Sequence, residues 1–136
     1  MPTEDETCLI ECASAYLRAN GESLGDLRDA FVRVLGRGEN AFLVIGRNTP
    51  RYAVKVPPSI WTVRCTPIDD LIAGFDGDVK GAAVAEAISV IEPGGDGQEH
   101  VDGDVVYVGR ASQMFEQLGL DSSFDPLAGA ELIHIS

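Results

Sequence analysis

Leu9, Cys12, Ala13, Tyr16 and Leu17 recur at the three- and four-residue spacing of one helix face, so residues 6–19 are predicted to form an amphipathic helix. Asn20-Gly21 ends it, since both residues tolerate left-handed backbone geometry. Ser23 and Asp26 have the spacing of a capping box, and Leu24, Leu27, Phe31, Val34 and Leu35 supply the stripe of a second helix that Gly36 and Gly38 stop. The short connection predicts an N-terminal helical pair. The period then changes. Ala41-Phe42-Leu43-Val44-Ile45 is a short apolar run suited to a buried strand, Gly46-Arg47-Asn48-Thr49-Pro50 is turn chemistry, and Tyr52, Val54 and Val56 alternate with Ala53 and Lys55. Together they predict a β-hairpin, broken by Pro57-Pro58.

Further along, Ile60-Trp61-Thr62-Val63-Arg64 reads as a third strand and Pro67 to Ala73 as a short helix opened by proline. Ala82 to Ile91 is apolar almost all round and is predicted to be a central helix. Val105-Val106-Tyr107-Val108 is a strand between two glycines. Ala111, Met114, Phe115 and Leu118 form a last helix closed by Gly119, and Leu132-Ile133-His134-Ile135 is a final strand. The fold class is therefore α+β: an N-terminal helical pair, then a mixed or antiparallel sheet packed with two or three further helices, in one domain over residues 1–136. The expected core includes Leu27, Phe31, Val34, Val54, Val84, Ile88 and Phe115.

Composition narrows the function classes. The chain has 136 residues, 45% hydrophobic and 24% charged, which suits one globular domain. No apolar run reaches the length of a membrane span. The acidic start Thr3-Glu4-Asp5-Glu6 lacks the basic and apolar parts of a secretory signal, and three cysteines suit reduced thiols, so a cytoplasmic location is expected. The net charge is -12, and it is uneven: residues 18–64 hold eight bases against four acids, whereas residues 65–136 hold two bases against fourteen acids. Such acidity opposes nucleic-acid and anionic-membrane binding and suits a basic partner.

Several short motifs stand out against this background. Gly36-Arg37-Gly38-Glu39-Asn40-Ala41 followed by Tyr52-Ala53-Val54-Lys55-Val56 resembles the N-lobe of protein kinases, where a glycine-rich loop covers phosphates and a strand lysine reaches them. Here Ala41 replaces the third glycine, His100-Val101-Asp102 has no asparagine at the needed offset, no Asp-Phe-Gly is present, and the chain is too short for two lobes. Val108-Gly109-Arg110 through Leu118-Gly119-Leu120-Asp121 is similar to the closing strand and helix of STAS domains. The phosphorylatable serine of that family has no counterpart in Gly77-Asp78-Val79-Lys80-Gly81. A winged helix would place Arg47 and Arg51 on its wing, but Gly36 to Asn40 is too short for a recognition helix.

Cys8 and Cys12 share a helix face, with Cys65, His100 and His134 isolated elsewhere, so packing is expected rather than a zinc site. Asp96, Glu99, His100, Asp102 and Asp104 crowd a glycine-rich stretch without the spacing of an EF-hand, which predicts a solvated acidic loop. No catalytic set, metal or cofactor is expected. The functional expectation is a non-enzymatic, acidic protein that engages a basic protein or protein complex, in the manner of anti-restriction, anti-CRISPR or immunity proteins. Asp96, Glu99, Asp102, Asp104, Asp121 and Asp125 are its expected contacts. The alternatives are a nucleic-acid-binding regulator using residues 18–64, with Arg33, Arg37, Arg47 and Arg51 converging on a groove, and a small enzyme whose site has no recognisable motif.

Overall fold

The computed structural model describes residues 3–20, 29–50, 59–91, 98–102, 105–120 and 124–134. Helix α1 (Glu4–Asn20) starts on a reciprocal capping box: the Thr3 N–H donates to Glu6 Oε2 (2.7 Å) and the Glu6 N–H to Thr3 Oγ1 (3.1 Å). Asn20 closes the helix by donating its amide to the Tyr16 carbonyl at 2.9 Å. Strands β1 (Asp29–Leu35), β2 (Phe42–Pro50) and β3 (Ser59–Pro67) follow, then α2 (Ile68–Gly74), α3 (Val79–Ile91), β4 (Gln98–Asp102), β5 (Val105–Gly109), α4 (Ala111–Leu118) and β6 (Ile133–His134).

The strands form one mixed sheet in the order β4-β5-β3-β2-β1-β6. β1, β2 and β3 make an antiparallel meander, and β3 and β5 run parallel, with Trp61 opposite Val105 and Cys65 opposite Gly109. β3 pairs with β2 across Pro57-Pro58, so strands from both sides of that segment share one sheet.

Both faces of the sheet are covered. On one face Leu43 and Ile45 pack with Leu9, Ala13 and Leu17 of α1, Leu71 of α2, and Ala83, Ala87 and Val90 of α3. On the other, Phe31, Phe42, Val44, Val63, Cys65 and Tyr107 pack with Met114 of α4, with Phe124 and Leu127 of the following segment at the margin. A strand buried on both faces reads as a continuous apolar run, which is why residues 41–45 were recognisable as a strand.

The same double burial explains the main correction. No N-terminal helical pair is seen: residues 29–35 are a strand, and residues 21–28, with the Ser23–Asp26 motif and Leu27, lie outside the described residues. Phe31 and Leu35 face one layer while Val32 and Val34 face the other, so the apolar positions 31, 34 and 35 imitate helical spacing although they belong to opposite faces. The expected turn at residues 46–50 is likewise part of β2, which pairs with β1 on one side and β3 on the other. The proposed strand at residues 52–56, with Val54, lies outside the described residues. The helix over 67–73, the strands at 60–64 and 105–108 and the helix from Ala111 agree with expectation. Gly119, at φ 67°, ends α4 with the Leu120 N–H donating to the Phe115 carbonyl at 2.9 Å, a Schellman arrangement.

Of the expected core, Phe31 is fully buried, Val34, Val84 and Phe115 are half-buried, and Ile88 is 40% exposed. Helix α3 contributes to the core on one side only. It buries its alanines Ala82, Ala83 and Ala87, whose small side chains let it lie close to α1, and Ile88 falls on the outer side.

Candidate functional site

The acids from Asp96 to Asp104 do not form one loop. Glu99, His100 and Asp102 sit on β4, an edge strand paired antiparallel with β5, while Asp96 and Asp104 lie outside the described residues, as does Asp121. A strand with this much charge carries no apolar alternation, and an edge position is where charged strands are tolerated. Asp125 is exposed, and its Oδ1 accepts the Leu127 N–H at 3.0 Å.

The basic residues of the middle segment are placed differently. Arg33 donates Nη1 to the carbonyls of Pro126 (3.2 Å) and Ala128 (2.6 Å). Arg47 donates Nε to the Val90 carbonyl at 2.7 Å, in the last turn of α3, where a cation also complements the helix dipole. Burial lowers the Arg47 pKa from its ordinary value, although a guanidinium remains charged. Because Arg33 reaches the layer of residues 126–128 and Arg47 reaches α3, the two lie on opposite faces of the sheet and do not converge. Arg37 is exposed, and Arg51 lies outside the described residues.

A site not foreseen from the sequence lies at the carboxyl ends of the parallel strands β3 and β5. Here the connections diverge: β3 leads into α2 on one face, and β5 leads into α4 on the other. In open α/β sheets such a divergence leaves a crevice where ligands bind. The crevice holds about 420 Å³ and is lined by Arg64, Thr66, Asp70, Glu86, Arg110 and the apolar corner of Leu71 and Phe75. At its floor, Arg64 Nε and Nη2 and Thr66 Oγ1 donate to the Glu86 carboxylate, the last at 2.9 Å. The Arg64 and Glu86 side chains are 13% and 8% exposed. At its rim, Arg110 Nη1 pairs with Asp70 Oδ2, with both side chains exposed. Gly109 permits the closing geometry: its φ is 75°, the following Arg110 N–H donates to the Cys65 carbonyl at 2.8 Å, and a Cβ on Gly109 would stand 2.8 Å from that oxygen.

The Cys8 and Cys12 sulfurs are 3.8 Å apart on α1, well beyond a disulfide bond. Among the described residues, no group of three or more His, Cys, Asp or Glu side chains is placed to hold a metal ion. Burial, reinforced by the Cys12 thiol, raises the Cys8 pKa. Thiolate formation at Cys8 is therefore shifted toward higher pH. At about pH 8, Cys8 is expected to react with iodoacetamide more slowly than a free thiol. Mass spectrometry of timed quenches tests this, and a rate equal to that of free cysteine would refute it.

Comparison with known proteins found no matching family model, no similar curated protein and no similar solved structure.

Proposed function

We propose that this protein is a non-enzymatic binding protein that offers an acidic surface to a basic protein or protein complex, acting as a small inhibitor or nucleic-acid mimic of the anti-restriction, anti-CRISPR or immunity kind. The observation supporting this reading is the excess of exposed acids over exposed bases among the described residues, where Arg18, Arg37, Lys80 and Arg110 are the exposed bases. Arg33, Arg47 and Arg64 are bonded to the chain's own carbonyls and to Glu86, whereas Asp69, Asp70, Asp76, Asp78, Glu116, Asp125 and Glu131 are exposed. An arginine engaged with its own backbone is a poor phosphate ligand, so the middle segment contributes less to a nucleic-acid surface than its composition suggests. No helix among the described residues is long and apolar enough to cross a membrane.

The contacts assigned to this reading are Glu99 and Asp102 on the edge strand, Asp96 and Asp104 beside them in sequence, and Asp121 and Asp125. Long-range attraction would steer the encounter, with a screening length falling from ~10 Å at 0.1 M salt to ~3 Å at 1 M. The test is affinity capture from host lysate, followed by association kinetics with the purified captured protein. The on-rate is expected to fall about tenfold or more over that salt range. Joint replacement of Asp96, Glu99, Asp102 and Asp104 by Asn or Gln is expected to weaken binding with the fold retained. Unchanged affinity, even after neutralisation across residues 96–125, would refute the reading. Binding of duplex DNA in place of protein would move the function to residues 18–64.

A further inference from the structure

We infer that the crevice between the carboxyl ends of β3 and β5 binds a small zwitterion, an α-amino acid with an apolar side chain. This site is separate from the acidic contacts assigned above and takes a different class of ligand. Its position follows from topology: the chain leaves neighbouring parallel strands toward opposite faces, so no connection fills the space between them. Its volume of about 420 Å³ lies within the range of small-molecule sites.

The class of ligand follows from the charges. The lining presents two cations, Arg64 and Arg110, and two anions, Asp70 and Glu86, already joined as two pairs. A simple anion entering this crevice meets two carboxylates, and a simple cation meets two guanidinium groups. A ligand carrying one charge of each sign avoids both penalties by exchanging partners with one pair: its carboxylate takes Arg110 and its ammonium takes Asp70. The charge of the site stays balanced throughout.

The two pairs are not equally exchangeable. The Arg64–Glu86 pair is nearly buried and further tied by Thr66, so it forms a fixed floor. The Arg110–Asp70 pair has side chains 51% and 58% exposed, and exposed pairs are held only weakly. The rim therefore opens and the floor stays. The main chain beside the rim is held in place by the Arg110 N–H bond to the Cys65 carbonyl, so Arg110 is presented from a fixed backbone. Beyond the charged groups, Leu71 and Phe75 line the crevice, and Phe75 is 39% exposed. An aromatic ring left partly in water at the wall of a polar crevice is suited to cover an apolar ligand side chain.

Titration calorimetry of the full chain with L-leucine and L-phenylalanine tests the inference, with 4-methylpentanoate and isoamylamine as analogues lacking the ammonium or the carboxylate. The expected result is saturable one-to-one binding of at least one amino acid, with each singly charged analogue bound ~10–100-fold more weakly. Asp70→Asn and Arg110→Gln should each reduce amino-acid binding by a similar factor. Both side chains are exposed, so circular dichroism and Tm should stay at the wild-type values and separate lost binding from lost folding. Three results would overturn the inference: no saturable binding of either amino acid, an analogue that binds as well as its parent, or variants that bind like the wild type.

Discussion

Phe31→Ala is expected to lower stability by about 3–5 kcal/mol, a large share of the roughly 5–15 kcal/mol available to a domain. The ring is fully buried and packs against Trp61 with centroids 5.7 Å apart. It also lies over Gly46, its cross-strand partner in β2. A Cβ on Gly46 would stand 2.6 Å from Phe31 Cζ and 2.9 Å from Cδ1, so the glycine and the ring share one space. Gly46→Ala alone should cost about 1–3 kcal/mol through overpacking, because a buried ring cannot swing aside. In the Phe31→Ala background the same change should cost much less, since the clash is gone. Urea unfolding of the two single variants and the double variant measures this coupling directly. A loss below about 1 kcal/mol for Phe31→Ala would mean that the ring is not a core group, and strict additivity would mean that the two residues do not touch.

Glu86→Ala is expected to be of comparable severity, at about 3–5 kcal/mol, because it strands the nearly buried Arg64 guanidinium without its carboxylate. Glu86→Gln should cost less, since an amide oxygen still accepts from Thr66 and Arg64. Replacing both members, Arg64→Met with Glu86→Leu, should recover most of the loss, because an apolar pair of similar volume has no charge to desolvate. Thermal unfolding of the three variants distinguishes this account from simple packing: a double variant as unstable as Glu86→Ala would show that the volume of the residues, not the charge, is what matters.

How much of this was readable in advance depended on how many faces an element buries. Helices α1 and α4 each have one buried stripe, and α4 ends on Gly119 with its left-handed φ, so period and punctuation sufficed. Strand β1 buries side chains on both faces and lost its period of two. Strand β4 was hidden for the opposite reason: Gln98-Glu99-His100-Val101-Asp102 is polar nearly throughout, and only its pairing with β5 makes it a strand. Thr3 and Glu6 spell a capping box, but the apolar stripe of α1 starts only at Leu9, so periodicity alone places the helix start too late. The crevice was out of reach because Arg64, Thr66, Asp70, Glu86 and Arg110 come from three elements and the junction of β5 with α4, and share no spacing. One clue was present. Glu86 is the only acid in the apolar run Val79–Ile91, and a carboxylate inside a buried helix face requires a cationic partner elsewhere in the fold.

The order of the strands also sets a schedule. The meander of β1, β2 and β3 joins neighbours in the chain and can form as soon as Pro67 has been synthesised. Strand β5 pairs with β3 only after α2, α3 and β4 have been added, and β6 returns from His134 to lie against Asp29 and Ala30 of the first strand. The Asp29–Ala30 end of the β1 edge therefore stays open until His134 has left the ribosome. Throughout that interval Asp29 and Ala30 lack their β6 partners, and that end of the β1 edge is open to pairing with another strand.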